Sequence, residues 1–363
     1  MSASRKDDHV RLAIEQQDTL RGINQFEEVS FVHHALAGID RPDVSLATAF
    51  AGISWPVPLY INAMTGGSVK TGVINRDLAI AARETGVPIA SGSMNAYFKD
   101  PSCAGTFSVL REQNPDGFVI GNVNANATVD NVWRAIDLIQ ANALQIHINT
   151  AQETAMPEGD RSFASWPGQI EKIAAAVDIP VIVKEVGNGL SRQTVLALKD
   201  LGVAVADVSG RGGTDFARIE NGRRELGEYD FLHGWGQSAP ACLLDAQGVD
   251  LPLLASGGVR SPLDVARALA LGARGVGASG GFLRTLLDGG VDALVAQLTT
   301  WLDQLAALQT MLGARTPADL RNCDLLIHGS LRTFCADRGI ETGPLARRSS
   351  STETFRETTG STR

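Results

Sequence analysis

Cysteine is scarce in this chain. Cys103, Cys242, Cys323 and Cys335 are the only four among 363 residues, and no two form a CxxC pair. That spacing argues against a zinc ribbon and against a disulfide framework. No apolar run approaches the ~18 residues that a membrane-spanning helix requires, so no membrane partner is expected. The first residues are polar and charged, without the pattern of a signal peptide, and the expected location is cytoplasmic. Positive charge is not in excess either. Lys and Arg number 32 against 40 Asp and Glu, a formal net charge of −8. This balance argues against a nucleic-acid partner but leaves an anionic small molecule open, because local basic residues override net charge.

Glycine is plentiful, at 38 residues, and two clusters carry the most information. Leu253-Leu254-Ala255-Ser256-Gly257-Gly258-Val259 and Gly275-Val276-Gly277-Ala278-Ser279-Gly280-Gly281 are separated by a helical stretch over 261–271. Each cluster joins a short apolar run to a helix start. Bare glycine backbone at a helix N-terminus offers unhindered N–H groups to a phosphate. Two such grips in adjacent βα units match the phosphate site after strands 7 and 8 of a (β/α)8 barrel. Gly275, Gly277 and Gly280 also satisfy GxGxxG. The dinucleotide reading needs a strand before the first glycine, whereas the run over 263–271 is helical and the apolar positions lie between the glycines.

Short apolar runs alternate with helical patterns and predict strands over 59–62, 88–91, 118–122, 144–149, 181–186, 204–209, 251–255 and 275–278. Eight βα repeats ending in two phosphate grips favour an α/β TIM barrel over a doubly wound sheet. The expected organisation is an N-terminal extension over 1–55 contributing to substrate binding, a barrel over 56–345, and a Ser/Thr-rich disordered tail over 346–363. The segment 210–228, after the sixth strand, is rich in Gly, Arg and Glu and is expected to be a mobile loop at the active-site end. An amphipathic helix over 291–312 is expected outside the barrel, where it would bury an apolar stripe in a homo-oligomer, taken as a tetramer.

Polar residues collect at the predicted strand ends. Alternation over 144–149 puts Gln145, His147 and Asn149 on the face opposite Leu144, Ile146 and Ile148, hence inside the barrel. Gln152 and Glu153 follow at once, at the catalytic end. Satisfied interior polar groups would explain His147 or Asn149 singly; the whole set points to a site. Lys184 ends the fifth strand among apolar residues, a costly position unless it meets an anion or an electron-rich group. It fits a Schiff-base lysine, a cation beside a flavin that gains charge on reduction, or a structural pair with Asp207. Asn62-Ala63-Met64-Thr65-Gly66-Gly67, Ser91-Gly92-Ser93, Asn122 and Gly212-Gly213-Thr214 crowd other strand ends with small, hydrogen-bonding residues, as a flat polyfunctional ring requires. At the N-terminus, Arg5, Lys6 and His9 supply three potential cations within five residues, either capping a diphosphate or simply solvated.

Taken together, the chain resembles the type 2 isopentenyl diphosphate isomerases from Arg5 to about Arg338. The markers are Arg-Lys-Asp-Asp-His at 5–9, Met-Thr-Gly-Gly at 64–67, Gly-Ser at 92–93, His-Ile-Asn-Thr-Ala-Gln-Glu at 147–153, Val-Lys-Glu-Val-Gly at 183–187, Gly-Gly-Thr at 212–214 and the two glycine clusters. The resemblance implies an FMN-dependent barrel that interconverts isopentenyl and dimethylallyl diphosphate in isoprenoid biosynthesis, with Mg2+ and with NADPH as reductant. It implies that Ala63, Met64, Thr65, Ser93, Asn122, Lys184 and Thr214 contact FMN, and that Gly257, Gly258, Ser279 and Gly280 hold its phosphate. Arg5, Lys6, His9 and Gln152 would bind substrate, with His147, Asn149 and Gln152 as the catalytic set and Glu153 on Mg2+. The chain departs from the pattern at Met94-Asn95, where many members have Gln after the serine. An FMN-dependent 2-hydroxy-acid oxidase is the rival enzyme; His233, after the sixth strand, is a conceivable base for it, but no Arg partner for a substrate carboxylate is evident. A phosphate-binding scaffold is the non-enzymatic alternative.

Overall fold

The computed structural model describes Asp7 and residues 10–16 and 24–349. Arg5, Lys6, His9 and residues 350–363 lie outside the described residues. Eight parallel strands close into a barrel: β1 (Leu59–Ile61), β2 (Ile89–Ala90), β3 (Val119–Asn124), β4 (Ala143–His147), β5 (Val181–Lys184), β6 (Val205–Asp207), β7 (Leu253–Ser256) and β8 (Gly275–Ala278). Each is followed by its principal helix: α1 (Val69–Thr85), α2 (Gly105–Gln113), α3 (Val129–Ile139), α4 (Trp166–Ala176), α5 (Arg192–Asp200), α6 (Ala239–Asp245), α7 (Pro262–Ala270) and α8 (Gly280–Leu312). All eight strands predicted from the apolar runs are present, most of them shorter than read.

Local chemistry sets the helix ends. Ser68 accepts from Thr71 N–H while the Thr71 hydroxyl accepts from Ser68 N–H, and α1 stops at Gly86 in the left-handed region. Ser261 caps α7, whose first residue is Pro262. The expected helix over 291–312 is the second half of α8, which begins at Gly280 and is interrupted at Gly290 (φ +74°, ψ −169°).

Both faces of the strands are buried. Leu59, Ile61, Val119, Leu144, Ile146, Val181, Val183 and Val276 pack against the helices, whereas Tyr60, Ile120, Ala143, Ile182, Val205 and Leu254 fill the interior. A hairpin of Thr48–Phe50 and Ile53–Trp55 closes the N-terminal mouth. The Trp55 ring lies 5.3 Å from Tyr60 and 5.7 Å from Phe118, both at the strand starts. Val29–Phe31 pairs with Leu325–Ile327. Within the described part of 1–55, Val10 and Ala13 reach the cavity at the opposite mouth, whereas 48–55 seal the bottom.

Gly277 faces inward, and a Cβ there would lie 2.5 Å from Tyr60 Cζ. The GxGxxG coincidence is therefore packing inside a barrel. At the C-terminal end, residues 346–349 are docked: Arg348 Nη1 donates to Ala270 O at 2.7 Å, and Ser349 N–H and Oγ–H donate to Asp324 at 2.8 and 2.7 Å. The tail expected from 346 thus starts with four residues held against the barrel.

Candidate active site

The strands end at a cavity that, with its solvent-filled mouth, encloses about 1650 Å3. Ala63, Met64, Thr65, Ser93, Asn122, Lys184, Thr214, Gly257, Gly258, Ser279 and Gly280 all line it, as do His147, Asn149, Gln152 and Glu153. Every described residue that the resemblance assigns to FMN, substrate or metal thus reaches one space, whereas Gln145, Asp207 and His233 do not line it. No cysteine is among its walls.

One side is bare backbone. Gly257 (φ +88°) and Gly258 (φ +77°) turn the chain after β7, and a Cβ on Gly257 would sit 1.9 Å from Gly210 O. Only glycine allows both the positive φ and this contact. On the adjacent strand, Ser279 starts α8 without a side-chain cap, so the positive end of that helix borders the cavity.

The opposite side is polar and connected. Asn122 Nδ2 donates to Ser91 O at 3.2 Å, which turns Asn122 Oδ1 toward His147 Nδ1, 2.9 Å away, and assigns that ring nitrogen the proton. β4 ends at His147, not at 149. Asn149 starts a short helix, Thr150–Ala155, that brings Gln152 and Glu153 to the cavity. Asn149 Nδ2 donates to Gln152 Oε1 at 3.0 Å and to Glu153 Oε1 at 3.2 Å. Gln152 Nε2 in turn donates to Glu220 Oε1 at 3.0 Å, and the second oxygen of Glu220 accepts from Arg223.

Glu220, fully buried, was not identified from the sequence. It lies in the segment expected to be a mobile loop, which instead carries a helix, Phe216–Asn221, capped by Asp215 and pinned to Thr150–Ala155 by Gln152 and by Arg224 Nε on Ala155 O at 2.5 Å. Phe216 and Ile219 at helical spacing after Asp215 were the available signal; the Gly and Arg content masked it. Ser209, which ends the predicted sixth strand, and Ser256 of the first glycine cluster also border the cavity, and so does Arg260, which the sequence did not single out. At the departure noted above, Met94 is buried in the core while Asn95 faces the cavity.

Lys184 does not pair directly with Asp207. Its Nζ donates to Glu185 O at 2.6 Å and lies 3.5 Å from Ser209 Oγ. Burial lowers the Lys184 pKa; the charges of Asp207 and then Glu185 oppose that shift. Burial likewise raises the Glu185 carboxyl to about 7, against its hydrogen bonds from Asn188 and Val186 N–H and the charge of Lys184. His233, the base required by the oxidase reading, has a side chain 68% exposed and 3.6 Å from Asp215, and it is not part of the cavity wall.

The donor set fits FMN. Beside the glycine cradle and Lys184, the Thr65 Oγ1 and Asn149 Oδ1 atoms are buried without a hydrogen-bond partner in walls of this cavity. No group of three or more His, Cys, Asp or Glu side chains is gathered for a metal among the described residues. A single carboxylate, Glu153, is what remains for Mg2+, an ion that commonly takes one protein carboxylate together with water and substrate phosphate.

Fold and site together define an FMN-binding barrel enzyme. In agreement, residues 113–326 match the FMN-dependent dehydrogenase family. Solved structures of similar shape include a mandelate oxidase variant with the monooxide FMN adduct (TM-score 0.63, 19% identity, 88% of this chain and 99% of that one). Another is a flavocytochrome b2 variant with pyruvate bound (TM-score 0.62, 20% identity, 82% and 75%); at this identity the likeness speaks for the fold alone. The sequence relatives narrow the class. Isopentenyl-diphosphate delta-isomerase from Streptomyces sp. (strain CL190) is 81% identical over 362 residues, covering 100% of this chain and 99% of that protein. The Nocardia farcinica isomerase of the same name is 61% identical, covering 96% and 97%, and that of Latilactobacillus sakei is 44% identical, covering 94% and 97%. The chain belongs to the FMN-dependent, type 2 isopentenyl-diphosphate delta-isomerase family. No helix of the described residues is long and apolar enough to cross a membrane.

Proposed function

We propose that this isomerase interconverts isopentenyl and dimethylallyl diphosphate, in isoprenoid biosynthesis, with FMN held in its reduced form and one Mg2+ bound through Glu153. The observation that carries the reading is convergence: His147, Asn149, Gln152 and Glu153 face the cavity that Gly257, Gly258, Ser279 and Gly280 border. The first group suits a small anionic substrate and the second a flavin phosphate.

Moving the double bond requires a proton added at one carbon and removed from another. An unactivated alkene is a very weak base, and ordinary side-chain acids need strong environmental help to protonate it. Reduced FMN would supply the proton donor and acceptor with no net redox change. Gln152 is neutral, so its part is orientation: Asn149 and Glu220 fix both ends of its amide. His147, held by Asn122, would set the alkene end of the substrate. Glu153 would neutralise the diphosphate through Mg2+, and Arg5, Lys6 and His9 would bind that diphosphate from the N-terminus. Lys184 and the unpartnered Thr65 hydroxyl would hold the flavin ring. We further assign NADPH as the reductant, a cytoplasmic location, and a homo-oligomer, taken as a tetramer, formed through the outer face of α8.

The test is an anaerobic assay of isopentenyl diphosphate with FMN, Mg2+ and NADPH. Formation of dimethylallyl diphosphate is the expected result. Flavin reduction by lactate or glycolate with no isomerisation would install the oxidase reading instead, and a protein that takes up no FMN would remove both.

A further inference from the structure

Asp207 ends β6 with no solvent exposure. Tyr60 Oη–H donates to its Oδ2 at 2.6 Å and Asn62 Nδ2–H to the same oxygen at 3.1 Å. Ser256 Oγ–H lies 2.9 and 3.0 Å from the two oxygens, and Ser209 N–H donates to Oδ1 at 3.1 Å. The Asn62 amide is fixed in this sense because its own Oδ1 accepts from Ala63 N–H at 2.7 Å. Strands β1 and β7 and the turn after β6 thus all present donors. Two hydroxyls could also accept, but each carboxyl oxygen receives one N–H that can only donate, from Asn62 on Oδ2 and from Ser209 on Oδ1, and this favours the anion.

A buried anion requires a counter-charge. The strand register sets Lys184 on β5 beside Asp207 on β6. Ser209 connects them. Its N–H faces the carboxylate and its hydroxyl faces the ammonium. It does so from a left-handed backbone, φ +37°, which a non-glycine residue adopts only at a cost. Lys184, Ser209, Ser256 and Asn62 line the cavity, whereas Asp207 lies behind them.

We propose that Asp207 is a positioning residue for the flavin: its buried charge, relayed through Ser209, keeps the Lys184 ammonium protonated in the cavity wall and so sets how strongly the site favours reduced over oxidised FMN. The inference rests on the FMN reading above. A flavin gains negative charge on reduction, and a cation in the wall favours that form. Burial alone favours the neutral amine. Removing the Asp207 charge therefore shifts Lys184 toward the neutral amine, with Glu185 left as the one neighbouring carboxyl that opposes the shift.

The test is the two-electron reduction potential of FMN on the purified protein, wild type against Asp207→Asn. The variant is expected to bind FMN but to lose at least tenfold in its preference for the reduced form, a potential lower by 29.6 mV or more. The sign discriminates. A higher potential would mean that Lys184 stays charged without Asp207, and an unchanged one would reduce Asp207 to scaffold; either overturns the proposal. A cycle with Lys184→Met isolates the route. In that background Asp207→Asn is expected to leave the potential within threefold in preference and to raise the melting temperature, since the stranded anion is gone. If Asp207→Asn alone does not fold, this second pair decides: a double variant no more stable than Lys184→Met would sink the inference. A wild type that binds no FMN would instead refute the cofactor reading, an outcome distinct from a flavin that binds and does not shift.

Discussion

Gln16 and Asp215, 199 residues apart in sequence, hold each other by two reciprocal hydrogen bonds. Gln16 Nε2–H donates to Asp215 O at 3.0 Å, and Asp215 N–H donates to Gln16 Oε1 at 2.9 Å. One side chain thereby ties the helical residues 10–16 to the cap of Phe216–Asn221. Both segments border the cavity mouth through Val10, Ala13 and Phe216. We expect the two to close as one cover over bound diphosphate. Gln16→Ala removes two bonds worth ~1–3 kcal/mol together. Faster proteolysis within 210–228 is expected in this variant, along with weaker protection by substrate. Identical cleavage patterns in variant and wild type, with and without substrate, would separate the clasp from closure.

Glu220 holds the amide of Gln152 from behind the cavity wall. In Glu220→Ala the Gln152 side chain loses that anchor, and the Arg223 guanidinium loses a partner. Since misplacement of a reacting group by an ångström costs up to about a hundredfold, kcat is expected to fall between about ten- and a hundredfold, with FMN affinity unchanged. Steady-state kinetics and flavin fluorescence titration check both halves. A loss confined to FMN binding would mean that Glu220 supports the cradle and not Gln152.

Gly257→Ala introduces a Cβ 1.9 Å from Gly210 O at a φ of +88°. The backbone strain exceeds the ~1 kcal/mol that a compatible Gly→Ala change would return. The melting temperature should drop, and FMN should bind at least tenfold more weakly because the phosphate turn is forced open. Gly343→Ala, with nothing within 4 Å of the added carbon, is the matched control. Equal flavin content in both purified variants would count against the cradle.

Glu153, the carboxylate proposed for Mg2+, is already oriented by Asn149 and by Asp160 N–H at 2.9 Å. Glu153→Gln keeps the shape and removes the charge. Half-maximal activity is expected at a higher Mg2+ concentration, with the structure and FMN content preserved. Superimposable Mg2+ titrations would dismiss it from the metal site.

Glu185 titrates high, at about 7 in the folded protein against ~4.3 in an unfolded chain. A raised folded pKa means that the folded state binds the proton more tightly. This stabilisation is complete below the unfolded value, declines as pH rises from there, and is gone once pH has climbed through about 7. Glu185→Gln is permanently neutral. Its melting temperature should therefore gain on wild type as pH rises from 5, most of the gain coming below pH 7 and levelling off above it. A difference independent of pH would show that Glu185 is already charged at acidic pH.

The barrel was legible because each strand is a short apolar run between helical patterns and because both strand faces are buried, so the runs stand out without alternation. His147, Gln152, Glu153, Lys184 and the late glycines were legible for the opposite reason: they interrupt that apolar background at strand ends. Glu220 was not legible. It sits in a charged segment that reads as solvent-facing, and its burial depends on Gln152, 68 residues earlier in the chain. The closure of the bottom mouth by Trp55 was equally hidden, since one aromatic residue ahead of a strand carries no sign of which end it plugs.

The order of the elements, their type and the residue types at the strand ends follow from the sequence alone, because hydrophobic periodicity and glycine's conformational freedom are local properties. Which polar groups meet was decided by the tertiary structure. Barrel closure and strand register bring Asp207, Tyr60, Ser256 and Asn62 into one hydrogen-bonded cluster, set Lys184 beside it without direct contact, and fold Glu220 behind Gln152. Pairings of that kind depend on distances between strands far apart in the chain, and such distances exist only once the sheet has closed.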